Sequence, residues 1–405
     1  MKTAWDIVRP PSNCQHMNNF EVTIVGAGLA GLQFARLVAS QGRKVLLVDR
    51  KRSLDERIHT TGIFVRKTLE DFDVPQHCLG PVIRHVSLFS PAHKELKLVS
   101  ERDEFRIARM QELYLHYLKD CLRVGVEFLA ETNYLDHEVG DGVVSVRLKR
   151  GVDQCVVKSR LLVGCDGARS RVAEKLGLDL NREWIVGVED VFTGGRMEGP
   201  PRLCCFLDPK LAPGYIGWIA HDGYETHLGV GGYPQKFDPV SALEEFKQKV
   251  KNIVDLNQEK VIERRGGRIP VGGILKNISN EHGLLIGDAA GAVSPLTAGG
   301  LDPCMRLSAI AAGLVTRFLK TNDRTALRSY SGNLFRAKFT SRLWARRIAA
   351  HLSNRPVAEM TCATLRLPFV VGIAHHVFFG RTSFPDVTPM SALSQSGTSQ
   401  KLTEC

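Results

Sequence analysis

Apolar positions at the start of the chain change spacing within one short stretch. Residues 22–25 and 45–48 are short, mostly apolar runs, and a glycine-rich turn and a segment with helical apolar spacing lie between them. Short continuous runs are typical of strands buried on both faces, and the helical spacing indicates one apolar helix face. Residues 21–50 therefore predict a strand, a tight turn, an amphipathic helix and a second strand.

A hairpin and a further helix are predicted next. Residues 84–99 alternate between apolar and polar positions around a turn at Ser90-Pro91, and residues 111–123 carry helical spacing that ends at Gly125. Short alternating segments follow at 126–129, 143–148 and 156–163. The last of them leads into Cys165-Asp166-Gly167, where we expect the chain to return to the first sheet.

The pattern changes again after residue 183. Short strands separated by Gly and Pro predict a sheet-rich domain inserted into the first, with one helix near 241–253. The chain is expected to rejoin the first domain at the buried run 283–288, which precedes a helix over 303–319. The predicted divisions are a flexible leader (1–20), a first domain (21–183 and 271–322), an inserted domain (184–270, with a contribution from 82–108), a basic helical region (323–387) and a disordered tail (388–405).

Composition excludes several classes of protein. The 405 residues are 43% hydrophobic with a net charge of +11, which suits a folded chain that attracts anionic partners. The ten cysteines form no C-x-x-C pair and no Cys/His metal spacing, so we expect reduced thiols, no metal and a cytoplasmic location. The most apolar late stretch, 365–380, is interrupted by Pro368, His375 and His376, so we expect contact with a membrane at most.

A glycine motif opens the predicted helix of the first unit. Gly26, Gly28 and Gly31 form G-x-G-x-x-G directly after a strand, and Asp49 ends the next strand. In this context the glycines permit the turn, the approach of backbone to a pyrophosphate and close helix packing, and the acid accepts a hydrogen bond from a ribose hydroxyl. The motif predicts a Rossmann-like dinucleotide-binding domain, and it suits NAD and FAD equally.

Two later segments resemble those of known flavoproteins. RLLVGCDGARSRVAEKLG and LLIGDAAGAVSPLTAGGL resemble the downstream fingerprints of the aromatic hydroxylase and geranylgeranyl reductase fold, over roughly residues 20–320. The resemblance implies a three-layer α/β FAD-binding domain with an inserted, mostly antiparallel β substrate domain and a C-terminal helical segment. It places Asp166 and Gly167 near the FAD pyrophosphate and Asp288 on a ribityl hydroxyl. It brings the amides of Gly299 and Gly300 to the flavin ring.

The same resemblance suggests a partner for the ribose or pyrophosphate. Arg109 resembles the Arg or Gln that this superfamily sets there, although Gln111 fits nearly as well. The alternative is a solvated cation at the start of a helix.

The third fingerprint also separates reaction types. Gly291 replaces the His that is typical of hydroxylases, and the run from Pro295 to Leu301 is similar to that of geranylgeranyl reductases. The segment PGYIGWIAHDGYETHLGVGG matches their substrate-domain motif in part, with Tyr215 and His221 as candidate proton donors or as wall residues. Thr60-Thr61-Gly62 stands where these reductases often carry Cys-Gly, and Cys304 is either a substitute thiol or a packing residue.

We therefore expect an FAD-dependent oxidoreductase that reduces double bonds of a prenyl or other apolar lipid. The alternatives are a monooxygenase acting on a small hydrophobic or aromatic substrate and a lipid carrier without redox chemistry. No second G-x-G-x-x-G is present, so the electron donor stays open between NADPH bound at the surface, a ferredoxin and a quinol. The basic, aromatic-rich residues 324–347 suit either an anionic membrane surface or a packed helix with a solvated face, and nucleic acid is not expected.

Overall fold

A computed structural model of the protein describes residues 19–195, 197–235, 237–351 and 354–380. The expected leader lies outside the described residues except for Asn19 and Phe20, and Phe20 begins the first strand. The expected tail also lies outside them. Within the described ranges, no helix combines the length and the hydropathy that a membrane crossing needs.

Sixteen strands are present in the described ranges. In chain order they are β1 (Phe20–Val25), β2 (Val45–Val48), β3 (Ile63–Val65), β4 (His85–Phe89), β5 (Glu95–Val99), β6 (Phe105–Ile107), β7 (Glu127–Leu129), β8 (Thr132–Gly140), β9 (Val143–Arg150), β10 (Asp153–Gly164), β11 (Trp184–Phe192), β12 (Arg202–Phe206), β13 (Gly217–His221), β14 (Thr226–Gly232), β15 (Val261–Pro270) and β16 (Gly283–Leu285).

Eleven α-helices accompany these strands in the same ranges. They are α1 (Leu29–Ala39), α2 (Arg66–Asp71), α3 (Met110–Arg123), α4 (Arg171–Lys175), α5 (Pro239–Lys249), α6 (Leu301–Thr321), α7 (Thr325–Arg328), α8 (Gly332–Arg336), α9 (Thr340–His351), α10 (Arg355–Leu365) and α11 (Val371–Phe379).

The first sheet combines parallel and antiparallel strands. Its order is β7-β2-β1-β10-β9-β8, and β16 pairs with β10. The carboxyl half of β10 runs parallel to β1 and β16, whereas its amino half pairs antiparallel with β9. The βαβ unit is present as predicted, because β1 and β2 are parallel and α1 connects them. The carboxyl ends of β1, β2 and β10 consequently meet at one edge, where ligands of open α/β sheets bind.

The second sheet has the order β15-β11-β14-β13-β12-β4-β5 and is antiparallel except for the β12–β4 pair. The predicted hairpin at Ser90-Pro91 joins β4 to β5 at the edge of this sheet. Alternating side chains of β12 enter different cores. Cys204 packs in the cluster that contains Phe246 of α5, whereas Leu203 and Cys205 pack with Ala374 of α11.

The basic region is divided into several short helices. The chain leaves helical conformation between α7 and α8, and α8 starts at Gly332, where an added Cβ would lie 1.7 Å from the carbonyl oxygen of Leu275. Several of the cations bind protein carbonyl groups. Arg336 donates to the oxygen of Ile274, and the buried Arg346 donates to the oxygen of Pro295. These contacts fix the region against the first domain.

Candidate active site

A cavity of about 1330 Å³ extends from the glycine turn to the second sheet and helices α10 and α11. The loops at the carboxyl ends of the parallel strands line one end. The sequence-predicted residues that line the cavity are Gly26, Gly28, Asp49, Asp166, Gly167, Tyr215, Asp288, Gly299 and Gly300. The arrangement brings together residues that are separated by more than 250 positions in the chain.

The glycine turn has the geometry that the motif predicted. Gly26 has a φ of +103°, and an added Cβ would lie 2.3 Å from the oxygen of Cys165. An added Cβ on Gly31 would lie 1.9 Å from the oxygen of Gly26, so this glycine permits close packing and does not line the cavity. Gly28 caps α1, and an added Cβ there would meet no protein atom within 4 Å. Backbone at Gly28 is therefore open to a ligand.

Asp49 and Asp166 hold the loops on either side of this turn. The Asp49 carboxylate accepts hydrogen bonds from the amide of Ala27 at 2.6 Å and the amide of Lys51 at 2.8 Å. The Asp166 carboxylate accepts from the hydroxyl of Ser170 and from two amides at the start of α4. Burial raises the pKa of Asp166, although its hydrogen bonds oppose this. Carboxylate oxygens can accept further bonds, so both groups retain acceptor capacity toward the cavity.

Asp288 differs from the other two acids. Within the described ranges, no hydrogen bond reaches its carboxylate, and burial raises its pKa to about 6. It lies beside Gly300, the residue that caps α6, where an added Cβ would lie 3.5 Å from Asp288 Oδ1. A buried carboxylate without a donor is costly. The hydroxyl groups of a ribityl chain would supply such donors, and the amino end of α6 would face negative charge. These residues fit FAD.

Besides Gly31, three of the predicted residues do not line the cavity. The Arg109 guanidinium pairs with Glu112 at 2.8 Å, donates to the oxygen of His77 and lies over the Tyr224 ring. His221 Nδ1 accepts from the amide of Gly223, and Pro295 contributes its carbonyl to Arg346. Their proposed roles toward FAD or substrate stay predictions.

Tyr215 lines the cavity, but its hydroxyl group already has a partner. The phenol donates to the carbonyl oxygen of Thr297 at 2.8 Å. Its ring meets Trp218 edge to face, with the ring centroids 6.4 Å apart. The bond ties the second sheet to the loop that precedes Gly299 and Gly300. Cys304 also lines the cavity, and burial raises the pKa of its thiol, so the neutral form persists.

The structure adds a charged group that the sequence analysis missed. Glu189 of β11 is 4% exposed, and its carboxylate faces the cavity wall. It accepts hydrogen bonds from Thr61 at 2.5 Å and Trp218 Nε1 at 2.8 Å, and it pairs with His227 Nδ1 at 3.2 Å. Two adjacent acids, Glu189 and Asp190, inside the otherwise apolar strand WIVGVEDVF were the available signal, because unpaired carboxylates are rarely fully buried.

In the cluster of Glu189, His227, Thr61, Arg265 and Asp222, burial and neighbouring charges shift the pKa values in opposite directions. Burial alone would raise the pKa of Glu189, but His227, Thr61 and Arg265 together lower it. Burial alone would lower the pKa of His227, but Glu189 and Asp222 raise it to about 9. The cluster therefore holds an imidazolium beside a carboxylate at neutral pH.

The far end of the cavity is apolar. Side chains of β12, β13 and α11 line it, among them Leu203, Cys205, Ile219, Ala374 and Phe378. Such a wall suits a hydrocarbon substrate and offers few hydrogen bonds to a polar one.

Residues 19–336 match the family model described as an FAD binding domain. The chain is 24% identical over 309 residues to digeranylgeranylglycerophospholipid reductase of Methanocaldococcus jannaschii, covering 75% of this chain and 78% of that protein. It is 25% identical over 316 residues to geranylgeranyl diphosphate reductase of Rhodobacter capsulatus, covering 76% and 78%.

Among solved structures, the chain is similar to a geranylgeranyl bacteriochlorophyll reductase-like protein of Thermoplasma acidophilum. The TM-score is 0.78 at 16% identity, over 93% of this chain and 99% of that one. The likeness confirms the predicted fold class. The chain therefore belongs to the FAD binding domain family and is an FAD-dependent oxidoreductase that resembles geranylgeranyl reductases.

Proposed function

We propose that the protein reduces carbon-carbon double bonds of a prenyl or other apolar lipid. The apolar end of the cavity carries this proposal, because Leu203, Ile219 and Phe378 offer dispersion contacts and no charge to a hydrocarbon chain. The relatives named above as geranylgeranyl reductases support it.

FAD, when bound and reduced, supplies a hydride to the substrate. The residues of the chain would hold and orient it. Gly28 would offer backbone to the pyrophosphate, Asp288 would accept from the ribityl chain, and Gly300 would present the amino end of α6. The Tyr215–Thr297 hydrogen bond fixes the loop before α6 against the part of the cavity wall that Tyr215 forms. The electron donor is proposed to be external, with NADPH, a ferredoxin and a quinol as candidates.

An anaerobic titration tests this function. The purified protein is reduced with dithionite and mixed without oxygen with polyprenyl lipids, saturated analogues of the same length and aromatic acids. We expect the unsaturated lipids alone to restore the absorbance of oxidised flavin, with a saturated product by mass spectrometry. If the flavin stays reduced until air is admitted and an oxygenated product then forms, the protein is a monooxygenase.

We also propose that α10 and α11 contact a membrane from which the lipid enters. Apolar side chains on and between these helices are exposed, and Phe369 is 98% exposed. Ile373 is both exposed and part of the cavity lining, so the apolar surface continues into the cavity. This arrangement favours α10 and α11 over the basic helices, because Arg336 and Arg346 of that region bind carbonyl groups of the protein.

Vesicle binding tests the proposed contact of α10 and α11 with a membrane. We expect Phe369→Ser and Leu367→Ser to reduce co-sedimentation with anionic vesicles, because each removes apolar area from the interface. Val152→Ser is the matched control, since Val152 is 92% exposed in the β9–β10 turn, far along the chain from these helices. Equal loss in the control, or none in Phe369→Ser, would contradict the proposed contact.

A further inference from the structure

Four side chains form a polar path through the second sheet. Thr61 lines the cavity and donates to Glu189 at 2.5 Å, Glu189 pairs with His227 at 3.2 Å, and His227 Nε2 faces Asp222 Oδ2 at 3.9 Å. Glu189, His227 and Asp222 are 4%, 2% and 1% exposed. The path ends beside Glu225, which is half-buried and whose amide donates a hydrogen bond to the Asp222 carboxylate.

We propose that Thr61, Glu189, His227 and Asp222 form a proton relay that supplies the cavity during double-bond reduction. This inference rests on the proposed function and deepens it. Hydride transfer to one carbon of a double bond leaves the other carbon in need of a proton. The path joins the cavity wall to the half-buried Glu225, so it connects the place where the substrate needs a proton to an acid that can supply one.

The register of the sheet explains why the path is continuous. Glu189 of β11 lies opposite Gly229 of β14, and Trp218 of β13 lies opposite the same glycine. An added Cβ on Gly229 would lie 2.2 Å from Trp218 Cζ2, so the glycine gives the indole room to cross β14 and reach Glu189. His227 is two residues before Gly229 and therefore shares its face.

The charged groups facing this path come from β11, β13, β14, β15 and the turn between β13 and β14. Arg265 of β15 pairs with Glu189 at 3.6 Å, and its own second partner is Glu263 at 2.7 Å. His221 of β13 and Glu225 face His227 and Asp222 from the other end. Two buried carboxylates, Glu189 and Asp222, thus meet the cations His227 and Arg265. This balance keeps the imidazolium available below pH 9, where it can release its proton toward the carboxylate.

The transfer conserves atoms and charge. Once a hydride has been supplied to one carbon, the Thr61 hydroxyl would turn from Glu189 and give its proton to the other carbon, breaking an O–H bond and forming a C–H bond. The Nδ1 proton of His227 would then pass to the Glu189 carboxylate, which would return a proton to the Thr61 oxygen. The net change is one imidazolium converted to imidazole, which recovers its proton from solvent past Asp222 and Glu225. Two electrons come from the reduced cofactor.

Trp218 and Arg265 position the carboxylate in this scheme. Arg265 also donates to the carbonyl oxygen of Thr60 at 3.2 Å, which fixes the segment that carries Thr61. Thr61 is the group that faces the substrate, and Glu189 and His227 act through it.

The first experiment measures the pKa of His227 without turnover. The FAD-free protein is labelled with 13C-histidine and titrated by NMR as wild type, Glu189→Gln and Glu263→Gln. We expect His227 to titrate near 9 in wild type and in Glu263→Gln, and to move toward its ordinary value of 6.5 in Glu189→Gln. A wild-type value near 6.5 would overturn the relay. So would a stoichiometric metal lost in His227→Asn, because a metal ion would hold the ring neutral.

The second experiment measures single-turnover reoxidation of the reduced protein by an unsaturated lipid. Loss of a proton-transfer group costs about 100-fold to 10,000-fold. We expect that loss in Glu189→Gln and Thr61→Val, whereas Glu263→Gln keeps the path and retains the rate. Thr61→Ser keeps a hydroxyl group and should recover most of the rate that Thr61→Val loses. The wild-type rate should fall above pH 9, and this dependence should vanish in Glu189→Gln.

The two proposals fail differently. A wild-type protein that reduces no unsaturated lipid refutes the proposed function and the relay's role in it. A wild-type rate that survives Glu189→Gln within a factor of about three refutes the relay alone, since it lies far below the loss expected for a proton donor.

Discussion

Two neighbouring glycines of the nucleotide turn should respond in opposite ways to the same added methyl group. Gly28 has a φ of −73° and a ψ of −175°, which alanine adopts freely, and its added Cβ meets no protein atom within 4 Å. Gly26 has a φ of +103° and a collision at 2.3 Å with a backbone oxygen. The methyl group added at Gly28 therefore enters the cavity, whereas the one added at Gly26 collides with the protein backbone.

The magnitudes follow from these contacts. Loss of the cap residue at Gly28 should cost at most about 1 kcal/mol of folding free energy. A methyl group between the turn and a pyrophosphate should weaken one or two charge-assisted hydrogen bonds of about 1.5 kcal/mol each. That corresponds to a rise in the FAD Kd of roughly tenfold to a hundredfold. Gly26→Ala should lose at least about 3 kcal/mol, because backbone cannot move aside as a side chain can.

Thermal unfolding by circular dichroism and FAD titration by fluorescence quenching separate the two effects. Gly28→Ala should unfold close to the wild-type Tm of the FAD-free protein and bind FAD weakly. Gly26→Ala should unfold at a clearly lower temperature. Wild-type FAD affinity in Gly28→Ala, or a Tm as low as that of Gly26→Ala, would refute the placement of the pyrophosphate at this turn.

Three further changes test the interior. Burial raises the pKa of Asp288 from 3.8 to about 6. Between these pH values the folded FAD-free protein holds a proton that the unfolded chain has released, so its Tm should fall as the pH rises from 3.8 to 6. The fall should be smaller in Asp288→Asn. Arg306 is fully buried between Asp71 and Asp302. Arg306→Met should lower the free energy of unfolding in urea by about 3 to 5 kcal/mol, because it removes the cation that pairs with both carboxylates. An unchanged urea midpoint would contradict this. Gly313→Ala fills open space at an exposed position of α6 and should add about 1 kcal/mol to the free energy of unfolding in the same assay, whereas a loss would show a contact at this position.

Local patterns were sufficient to predict most of the architecture. The βαβ unit, the Ser90-Pro91 hairpin and the helix after Gly300 each depend on contacts between near neighbours in sequence. The basic region was harder, because its interruption at Gly332 comes from a close approach to Leu275, far away in the chain. No spacing within the region carries that information.

The candidate site was predictable where it consists of backbone and capping groups. The glycine turn acts through local geometry, so Gly26 was predicted from its motif, whereas Asp166 and Asp288 were assigned through the resemblance, and all three line the cavity. Glu189 was missed because its meaning depends on His227 and Thr61, which two other segments bring within hydrogen-bond distance. Arg109 also has partners that its local pattern does not reveal, Glu112 and Tyr224, and its assignment to the cofactor by the resemblance stays a prediction.

The glycines of β14 couple the middle of the second sheet to the aromatic wall. Gly229 and Gly231 stand under Trp218 and Tyr215, where added Cβ atoms would lie 2.2 Å and 2.9 Å from the rings. Glycine gives a strand little intrinsic stability, so the ladder of β14 depends on the indole and phenol that cover it. Local opening of this strand and loss of the wall should be a single event in hydrogen exchange. A ligand that presses on the two rings would then slow amide exchange in the strand beneath them.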